Sequence, residues 1–178
     1  MNLRPTAPEA VALSPELRGR EEGNRSIGAE SRWPLRPGRY HYDPSQGGVR
    51  LARVLVVDDD RVIQQLLEVN LELEGYEVKR ASNGDEALKL VRSFKPDVVL
   101  LDVMMPKLDG REVCRRIKGD PVTAEIPVIF LSARAQDMDV NSGLELGASA
   151  YITKPFDPVD LLQTVEKVLA GETVFPSS

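Results

Sequence analysis

The sequence contains little cysteine, few aromatic residues and no long apolar run. Its one cysteine, Cys114, cannot form an internal disulfide, which suits a reducing compartment. No apolar stretch approaches the roughly 18 residues of a membrane-spanning helix, and the first residues lack the apolar core of a signal peptide. The net charge of -5 gives no general attraction to nucleic acid or to an anionic membrane. We therefore expect a cytoplasmic protein with no membrane contact and no direct nucleic-acid binding.

Residues 1–50 differ in composition from the rest of the chain. They contain six prolines and six glycines, all their basic residues are arginines, and they show no hydrophobic periodicity. Such a segment buries too little apolar surface to offset the entropy of ordering it. We predict a disordered extension over 1–50. The alternative is that the start is misassigned and that translation begins near Val49 or Leu51. The folded domain is predicted at 51–171, followed by a short tail at 172–178.

Strand and helix patterns alternate after Arg53. Four short, mostly apolar runs predict strands at Val54–Val57, Val98–Leu101, Ile126–Leu131 and Ser149–Thr153, and Tyr76–Ala81 alternates apolar and polar residues as an edge strand would. Helical patterns separate them, and this alternation favours a parallel sheet with helices on both faces. The predicted fold is α/β, with a flavodoxin-like strand order of 2-1-3-4-5. The first helix, Arg61–Glu74, is predicted to bury one broad apolar stripe made of Val62, Ile63, Leu66, Leu67, Val69 and Leu73.

Reactive side chains follow four of the five predicted strands. Asp58 and Asp59 follow the first strand, Asp102 the third, Ser132 the fourth and Lys154 the fifth. In the predicted order the first and third strands are neighbours, so the three carboxylates are expected to converge. Two unit charges 4 Å apart repel by about 4 kcal/mol at an effective dielectric constant of 20. Such a cluster needs a bound cation or a retained proton, and an all-oxygen site with room for waters suits Mg²⁺.

The hydroxyl of Ser132 and the ammonium of Lys154 extend this site toward phosphoryl transfer. Phosphoryl transfer depends mainly on positioning and on electrostatic stabilisation of the phosphoryl oxygens. A metal ion and Lys154 would neutralise those oxygens, and Ser132 would donate a hydrogen bond to one of them. Asp102 can then act as a nucleophile that forms an acyl phosphate. We expect the neighbouring Asp60 to begin the first helix instead of binding metal.

Four segments of the chain together resemble the receiver domain of response regulators. In chain order these are Val54-Leu-Val-Val-Asp-Asp-Asp60, Leu100-Leu-Asp-Val-Met-Met-Pro106, Phe130-Leu-Ser-Ala133 and Tyr151-Ile-Thr-Lys-Pro-Phe156. The resemblance covers about Ala52 to Gly171. It implies that Asp102 accepts a phosphoryl group from the phosphohistidine of a sensor histidine kinase or a phosphotransfer protein. It also implies a signalling phosphoacceptor of a two-component phosphorelay, which catalyses only its own phosphorylation and dephosphorylation.

The resemblance also implies roles for individual residues. Asp59, Asp102 and the backbone carbonyl of Met104 would ligate Mg²⁺, or Mn²⁺ in its place, with Asp58 acting through a water. Lys154, Ser132 and the backbone N–H of Ala133 would hold the phosphoryl group. The Lys154–Pro155 peptide bond would be cis, as in the family.

A switch and a slow reset also follow from the resemblance. Tyr151 would turn inward when Ser132 moves toward the phosphate. The face formed by the fourth helix (Asp137–Leu146), the fifth strand and the fifth helix would then bind a downstream protein or a second copy in a phosphorylation-dependent dimer. Met104 and Arg134 would line the path of the attacking water. Neither side chain can act as a base, so phosphate loss is expected to be slow.

Two alternatives remain open at this point. The segment from Asp58 to Val62 fits the D-x-D-x-[T/V] pattern of haloacid-dehalogenase-like phosphatases, in which Asp58 would be the nucleophile. That family expects a further acidic motif after the lysine, where this chain has only Asp157 and Asp160 at a helix start. The other alternative is a scaffold that works without phosphorylation. After Leu169 too few residues follow for an output module, so we expect a stand-alone receiver.

Overall fold

The computed structural model describes residues 40–43, 47–133 and 145–175. The strands are β1 (Tyr40–Asp43), β2 (Gly48–Leu51), β3 (Arg53–Val57), β4 (Glu77–Ala81), β5 (Val98–Asp102), β6 (Val128–Ser132) and β7 (Ala150–Thr153). The helices are α1 (Arg61–Leu73), α2 (Gly84–Phe94), α3 (Gly110–Gly119) and α4 (Pro158–Leu169). Among the described residues no helix has the length and apolar character needed to span a membrane.

The five strands β3 to β7 form one parallel sheet. Their order is β4-β3-β5-β6-β7, which is the predicted order 2-1-3-4-5. Every residue of β5 and β6 is buried, whereas the edge strand β4 exposes three of its five residues. This difference explains the sequence pattern, because a strand covered on both faces is apolar throughout and an edge strand alternates. The predicted fold class is confirmed.

Two hydrophobic clusters cover opposite faces of the sheet. Successive side chains of a strand point to opposite faces, so Val99 and Leu101 of β5 join one cluster while Val98 and Leu100 join the other. The first cluster lies under α2 and α3 and contains the fully buried Cys114. Burial raises the pKa of the Cys114 thiol to about 11. The residue therefore serves the core, as its helical spacing indicated.

Helices α1 and α4 begin directly after an aspartate whose side chain accepts backbone hydrogen bonds from the first helical turn. Asp60 accepts from the N–H groups of Val62 and Ile63 at 2.7 and 3.4 Å, and so begins α1 as expected. Asp157 accepts from Val159 N at 2.7 Å at the start of α4, where Pro158 occupies the first helical turn. The loops between strand and helix are thereby anchored at the carboxyl edge of the sheet.

The predicted buried stripe of α1 needs correction. The side chains buried against the sheet are Gln64, Leu67 and Leu71. Four of the six predicted core residues are exposed instead: Val62 (74%), Leu66 (44%), Val69 (47%) and Leu73 (80%). Their spacing of four, three and four residues places them on one side of the helix, opposite the buried side. The helix has two apolar faces, and helical periodicity alone cannot decide which of them meets the sheet.

A short antiparallel hairpin precedes the sheet and was missed by the sequence prediction. β1 pairs with β2, with Tyr40 opposite Leu51, inside the segment that was predicted to lack structure. Arg50 of this hairpin donates two hydrogen bonds to the carboxylate of Asp97, at 2.6 and 2.8 Å. The available signal was the alternation of apolar and polar residues on either side of Gly47 and Gly48. Residues 1–39 and 44–46 lie outside the described part of the chain.

The C-terminal part of the sheet is described with one gap. Most of the predicted fourth helix, Asp137–Leu146, lies outside the described residues. Part of the predicted tail adds to the sheet, because Val174 forms a parallel bridge to Ala150 at the edge of β7. Val174 N–H donates to the Ser149 carbonyl at 2.8 Å, and Tyr151 N–H donates to the Val174 carbonyl at 3.3 Å.

Gly110, the first residue of α3, packs directly against the end of β5. A Cβ atom at this position would lie 2.1 Å from the backbone oxygen of Asp102 and 3.0 Å from Val103 Cα. Its N–H donates to the Val103 carbonyl at 3.0 Å. Because the atoms in the way belong to the backbone, a side chain here has to displace either α3 or the strand end that carries Asp102. At the other end of the helix, a Cβ at Gly119 would meet no atom within 4 Å.

These two glycines give a matched pair of substitutions within one helix. We expect Gly110→Ala to lower the free energy of unfolding by about 1–3 kcal/mol, the usual effect of overpacking. We expect Gly119→Ala to leave it unchanged or to raise it by up to about 1 kcal/mol. Urea unfolding followed by circular dichroism measures both. Equal stability of the two variants would contradict the close contact at Gly110.

Candidate functional site

The pairing of β3 with β5 brings two of the predicted acidic residues side by side. Val57 of β3 is in register with Leu101 of β5, so the next residues, Asp58 and Asp102, come at the same level of the sheet. Asp58 is fully buried and Asp102 is 5% exposed, whereas Asp59 is exposed. The carboxylate of Asp58 accepts the backbone N–H of Asp60 at 2.9 Å, which turns the chain from the strand into α1.

Asp58, Asp59 and Asp102 form one cluster of carboxylates. Each offers an oxygen, and these oxygens lie within 4.8 Å of one another. Hard oxygen ligands at this separation suit a small divalent cation such as Mg²⁺, which keeps several waters and takes few carboxylates from the protein. The chemistry of the donor set therefore fits the metal expected from the sequence.

Lys154 approaches the cluster from the end of β7. Its Nζ donates to Asp58 Oδ2 at 2.6 Å and lies 3.2 Å from Asp102 Oδ1. The Lys154 N–H also donates to the Ser132 carbonyl at 2.6 Å, which anchors the base of this side chain to β6. The Lys154–Pro155 peptide bond is cis, as expected. The ammonium thus bridges two of the three carboxylates.

The surroundings shift the pKa of both charged partners. Burial raises the pKa of Asp102 above its usual value of 3.8, the Lys154 ammonium opposes this shift, and the nearby Asp58 carboxylate adds to it. For Lys154, burial acts to lower the pKa, but the hydrogen bond and charge of Asp58, together with Asp102, outweigh burial and raise it. Lys154 is therefore held in its charged form, while ionisation of Asp102 is made harder by the fold.

The remaining predicted residues surround Asp102. Ser132 is the last residue of β6, one position beyond Leu131, the register partner of Asp102, and it is fully buried. Ala133 follows it and is exposed. The Met104 backbone N–H donates to the Asp102 carboxylate, and the Met104 side chain is 59% exposed.

Tyr151 and Arg134 are the two remaining predicted site residues. Tyr151 is half-buried and packs against the hydrophobic cluster under α2 and α3, and its predicted role as a switch stays a prediction. Arg134 lies outside the described residues.

One polar contact at this edge was missed by the sequence prediction. The side-chain amide of Gln64, on the buried side of α1, donates to the backbone carbonyl of Asp58 at 2.6 Å. The sequence did carry a signal for it, because Gln64 is a polar residue at the helical spacing of Leu67 and Leu71. The sequence prediction instead assigned the apolar stripe on the opposite side of α1 to the core.

The raised pKa of Asp102 leads to a prediction about stability. The folded state disfavours the ionised carboxylate, so at neutral pH, without metal, Asp102 opposes folding by about 1.36 kcal/mol for each unit of the shift. We expect Asp102→Asn to raise the melting temperature at pH 7 in the presence of a chelator. Because the cost disappears when Asp102 is protonated, the advantage should shrink as the pH falls through the raised pKa toward 3.8. Thermal melts between pH 7 and pH 4 measure it.

The control for this experiment is Glu72→Gln, which removes a charge from the exposed side of α1. It should change the melting temperature little. A melting temperature of Asp102→Asn equal to or below that of the wild type at pH 7 would contradict the assigned burial cost.

The chain is similar to a known protein family and to several solved structures. The sequence profile described as the response regulator receiver domain matches residues 54–166. A putative response regulator from Chloroflexus aurantiacus J-10-fl superposes with a TM-score of 0.65 and 37% identity, over 68% of this chain and 99% of that one. The chemotaxis protein CheY4 of Vibrio cholerae gives a TM-score of 0.64 and 33% identity, over 67% of this chain and 99% of that one.

Curated relatives include longer proteins. The alkaline phosphatase synthesis transcriptional regulatory protein PhoP of Bacillus subtilis is 46% identical over 127 residues, which are 71% of this chain and 52% of that protein. The DNA-binding dual master transcriptional regulator RpaA of Synechocystis is 42% identical over 128 residues, 72% of this chain and 53% of that protein. The chain thus spans about half the length of these relatives.

These similarities bear on two sequence-based expectations. The haloacid-dehalogenase-like alternative finds no support, because the profile match and the relatives all point to response regulators. The expectation of no direct nucleic-acid binding is not supported either, since both relatives are named as transcriptional regulators.

Proposed function

Because the chain belongs to the response regulator receiver domain family, we propose that it is a phosphoacceptor whose Asp102 takes a phosphoryl group from a phosphohistidine. The observation that carries this proposal is the meeting of Asp58, Asp59, Asp102 and Lys154 at one edge of the sheet. The donor is a sensor histidine kinase or a phosphotransfer protein. The chain is a signalling protein and not an enzyme that turns over an external substrate.

In the proposed reaction, an Asp102 carboxylate oxygen attacks phosphorus, the P–O bond forms, and the P–N bond to the donor imidazole breaks. Lys154 lies 3.2 Å from Asp102, close enough to neutralise an oxygen of the arriving phosphoryl group. Ser132, at the end of the neighbouring strand, would donate its hydroxyl to a second oxygen, and the Ala133 N–H would donate to the same group. These contacts supply positioning and charge stabilisation, the main requirements of phosphoryl transfer.

Asp58, Asp59, Asp102 and the Met104 carbonyl are the groups that would hold Mg²⁺ or Mn²⁺. When bound, a divalent cation neutralises charge on the phosphoryl oxygens and on the acidic cluster. The Met104 thioether and the Arg134 guanidinium provide no base for an attacking water, so phosphate loss is expected to be slow. Ser132 and Tyr151 would transmit the change to the face near β7 and α4, where a downstream protein or a second copy would bind.

The first test is phosphorylation with acetyl phosphate and Mg²⁺, followed by intact mass and peptide mapping. Wild-type protein should gain one phosphoryl group on Asp102. Asp102→Asn should gain none, because an amide cannot form the acyl phosphate. Asp85→Asn, which changes an exposed aspartate in the first turn of α2, should label as the wild type does. Label on Asp58, or undiminished labelling of Asp102→Asn, would contradict the proposal.

The exposed stripe of α1 supports a protein donor. Val62, Leu66, Val69 and Leu73 form an apolar strip that begins two residues after Asp60, beside the acidic cluster. It continues along the helix for about 16 Å, given a rise of 1.5 Å per residue. A contiguous exposed apolar patch next to a reaction centre is typical of a docking surface. We propose that the donor docks on this strip. An apolar helical surface of the donor would pack along α1, and the donor's phosphohistidine would lie over Asp102.

A comparison of two phosphoryl donors, a kinase and acetyl phosphate, tests this docking surface independently of the phosphorylation of Asp102. We expect Leu66→Gln with Leu73→Gln to slow transfer from a phosphorylated kinase at least tenfold, because the apolar contact is lost. The same variant should accept phosphate from acetyl phosphate at the wild-type rate, because a small donor needs no docking. Phosphoryl transfer followed by gel autoradiography, using a kinase that phosphorylates the wild type, gives both rates.

The matched control is Val122→Gln, which removes an equally exposed apolar side chain (80%) outside α1. Transfer to this control should proceed as in the wild type. Unchanged kinase transfer to the α1 variant would remove the strip from the donor interface and leave the assignment of Asp102 intact.

A further inference from the structure

Gln64 is the polar residue on the buried side of α1. Its side chain is 3% exposed and lies between the sheet and a helix face otherwise formed by Leu67 and Leu71. A buried amide costs about 1–3 kcal/mol when it lacks hydrogen-bond partners, so its presence calls for specific contacts.

The Gln64 amide makes those contacts with the ends of two strands. Nε2 donates to the carbonyl of Asp58 at 2.6 Å and to the carbonyl of Ala81 at 2.8 Å, and it lies 3.4 Å from Ser82 Oγ. Asp58 follows β3, and Ala81 is the last residue of β4. The Ala81 carbonyl also accepts the Asp58 N–H at 3.2 Å. One amide group therefore ties α1 to the ends of both strands. Asp58 is held at its carbonyl by Gln64 and at its N–H by Ala81.

The peptide held in this way carries two carboxylates of the acidic cluster. Asp58 and Asp59 leave the strand and enter α1 through a turn in which Asp60 N–H donates to Asp58 Oδ1. Repulsion between these carboxylates and Asp102 pushes the turn away from β5. The bonds from Gln64 act on the backbone of the same turn and fix its position relative to α1 and β4. Mg²⁺ demands near-ideal octahedral geometry, so a small displacement of the turn weakens its binding.

We propose that Gln64 is a positioning residue that sets the Mg²⁺ affinity of the Asp58–Asp59–Asp102 cluster. The inference rests on the metal-dependent function proposed above. Gln64 does not touch the metal or the phosphoryl group and acts through the Asp58 backbone. Loss of a hydrogen-bonding partner of this kind typically weakens metal binding by about 10–100-fold.

The test is Mg²⁺ titration of the full chain by isothermal titration calorimetry, without any phosphoryl donor. We expect Gln64→Leu, which keeps the size but removes the donor, to raise the Kd for Mg²⁺ about tenfold. The control is Leu71→Ala, on the same buried side of α1 about two helical turns beyond Gln64, which leaves a cavity but removes no hydrogen-bond donor. Its stability should fall by about 2–5 kcal/mol, while its Kd stays within about twofold of the wild type, so the two readouts separate positioning from stability.

Circular dichroism checks that each variant is folded at the titration temperature. If Gln64→Leu is not, Gln64→Asn, which keeps the donor one methylene short of the carbonyls, replaces it with the same expectation. A Kd within twofold of the wild type for the Gln64 variant, or an equal rise in Leu71→Ala, would overturn the inference.

The proposed function has its own arm in this experiment. Asp59→Asn should lose most Mg²⁺ binding whatever Gln64 does. If Asp59→Asn binds Mg²⁺ as the wild type does, the metal site itself is misplaced and the proposed function fails. If Asp59→Asn loses binding while Gln64→Leu keeps it, only the role of Gln64 is wrong.

Discussion

Parallel pairing between β3 and β5 is the constraint on which this molecule depends. It places Asp58 and Asp102 at the same level of the sheet, although 44 positions separate them in the sequence. Carboxylates held this close repel one another, and burial removes the water that would screen them. The Lys154 ammonium, delivered from β7, offsets part of this repulsion and opposes the rise that burial causes in the pKa of Asp102. The two carboxylates in turn raise the pKa of Lys154. The fold thus holds several carboxylates together with only part of their repulsion offset, which suits the proposed binding of a cation and a phosphoryl group.

Close backbone packing keeps that arrangement in place. Gly110 allows α3 to start against the carbonyl of Asp102, and Gln64 joins the ends of β3 and β4 to α1. Neither residue belongs to the acidic cluster, and both act on backbone atoms next to it. These contacts join the starts of α1 and α3 to the strand ends around the acidic cluster.

The two sides of α1 divide the roles of structure and interaction. The side with Gln64, Leu67 and Leu71 completes the core and holds the site. The opposite strip is as apolar as a core face but remains exposed, beginning beside the acidic residues. An apolar strip in that place is consistent with a partner that reaches both α1 and Asp102. In the proposed function, the same helix connects recognition of a phosphoryl donor with the geometry of the carboxylate that accepts the phosphoryl group.

Residue patterns were sufficient to predict the sheet and the side chains that lie at its carboxyl edge. Fully apolar runs such as Val98–Leu101 identify strands covered on both faces, and the alternation of strands and helices leaves few possible topologies. Strand order then requires Asp58, Asp59, Asp102 and Lys154 to meet, because all of them follow carboxyl ends. The buried side of α1 could not be predicted, since that helix carries apolar residues on two sides and its periodicity describes them equally well. The contacts of Gln64 with Asp58, of Gly110 with Asp102 and of Arg50 with Asp97 were not predictable either, because they depend on atomic distances that a pattern of residue types does not contain.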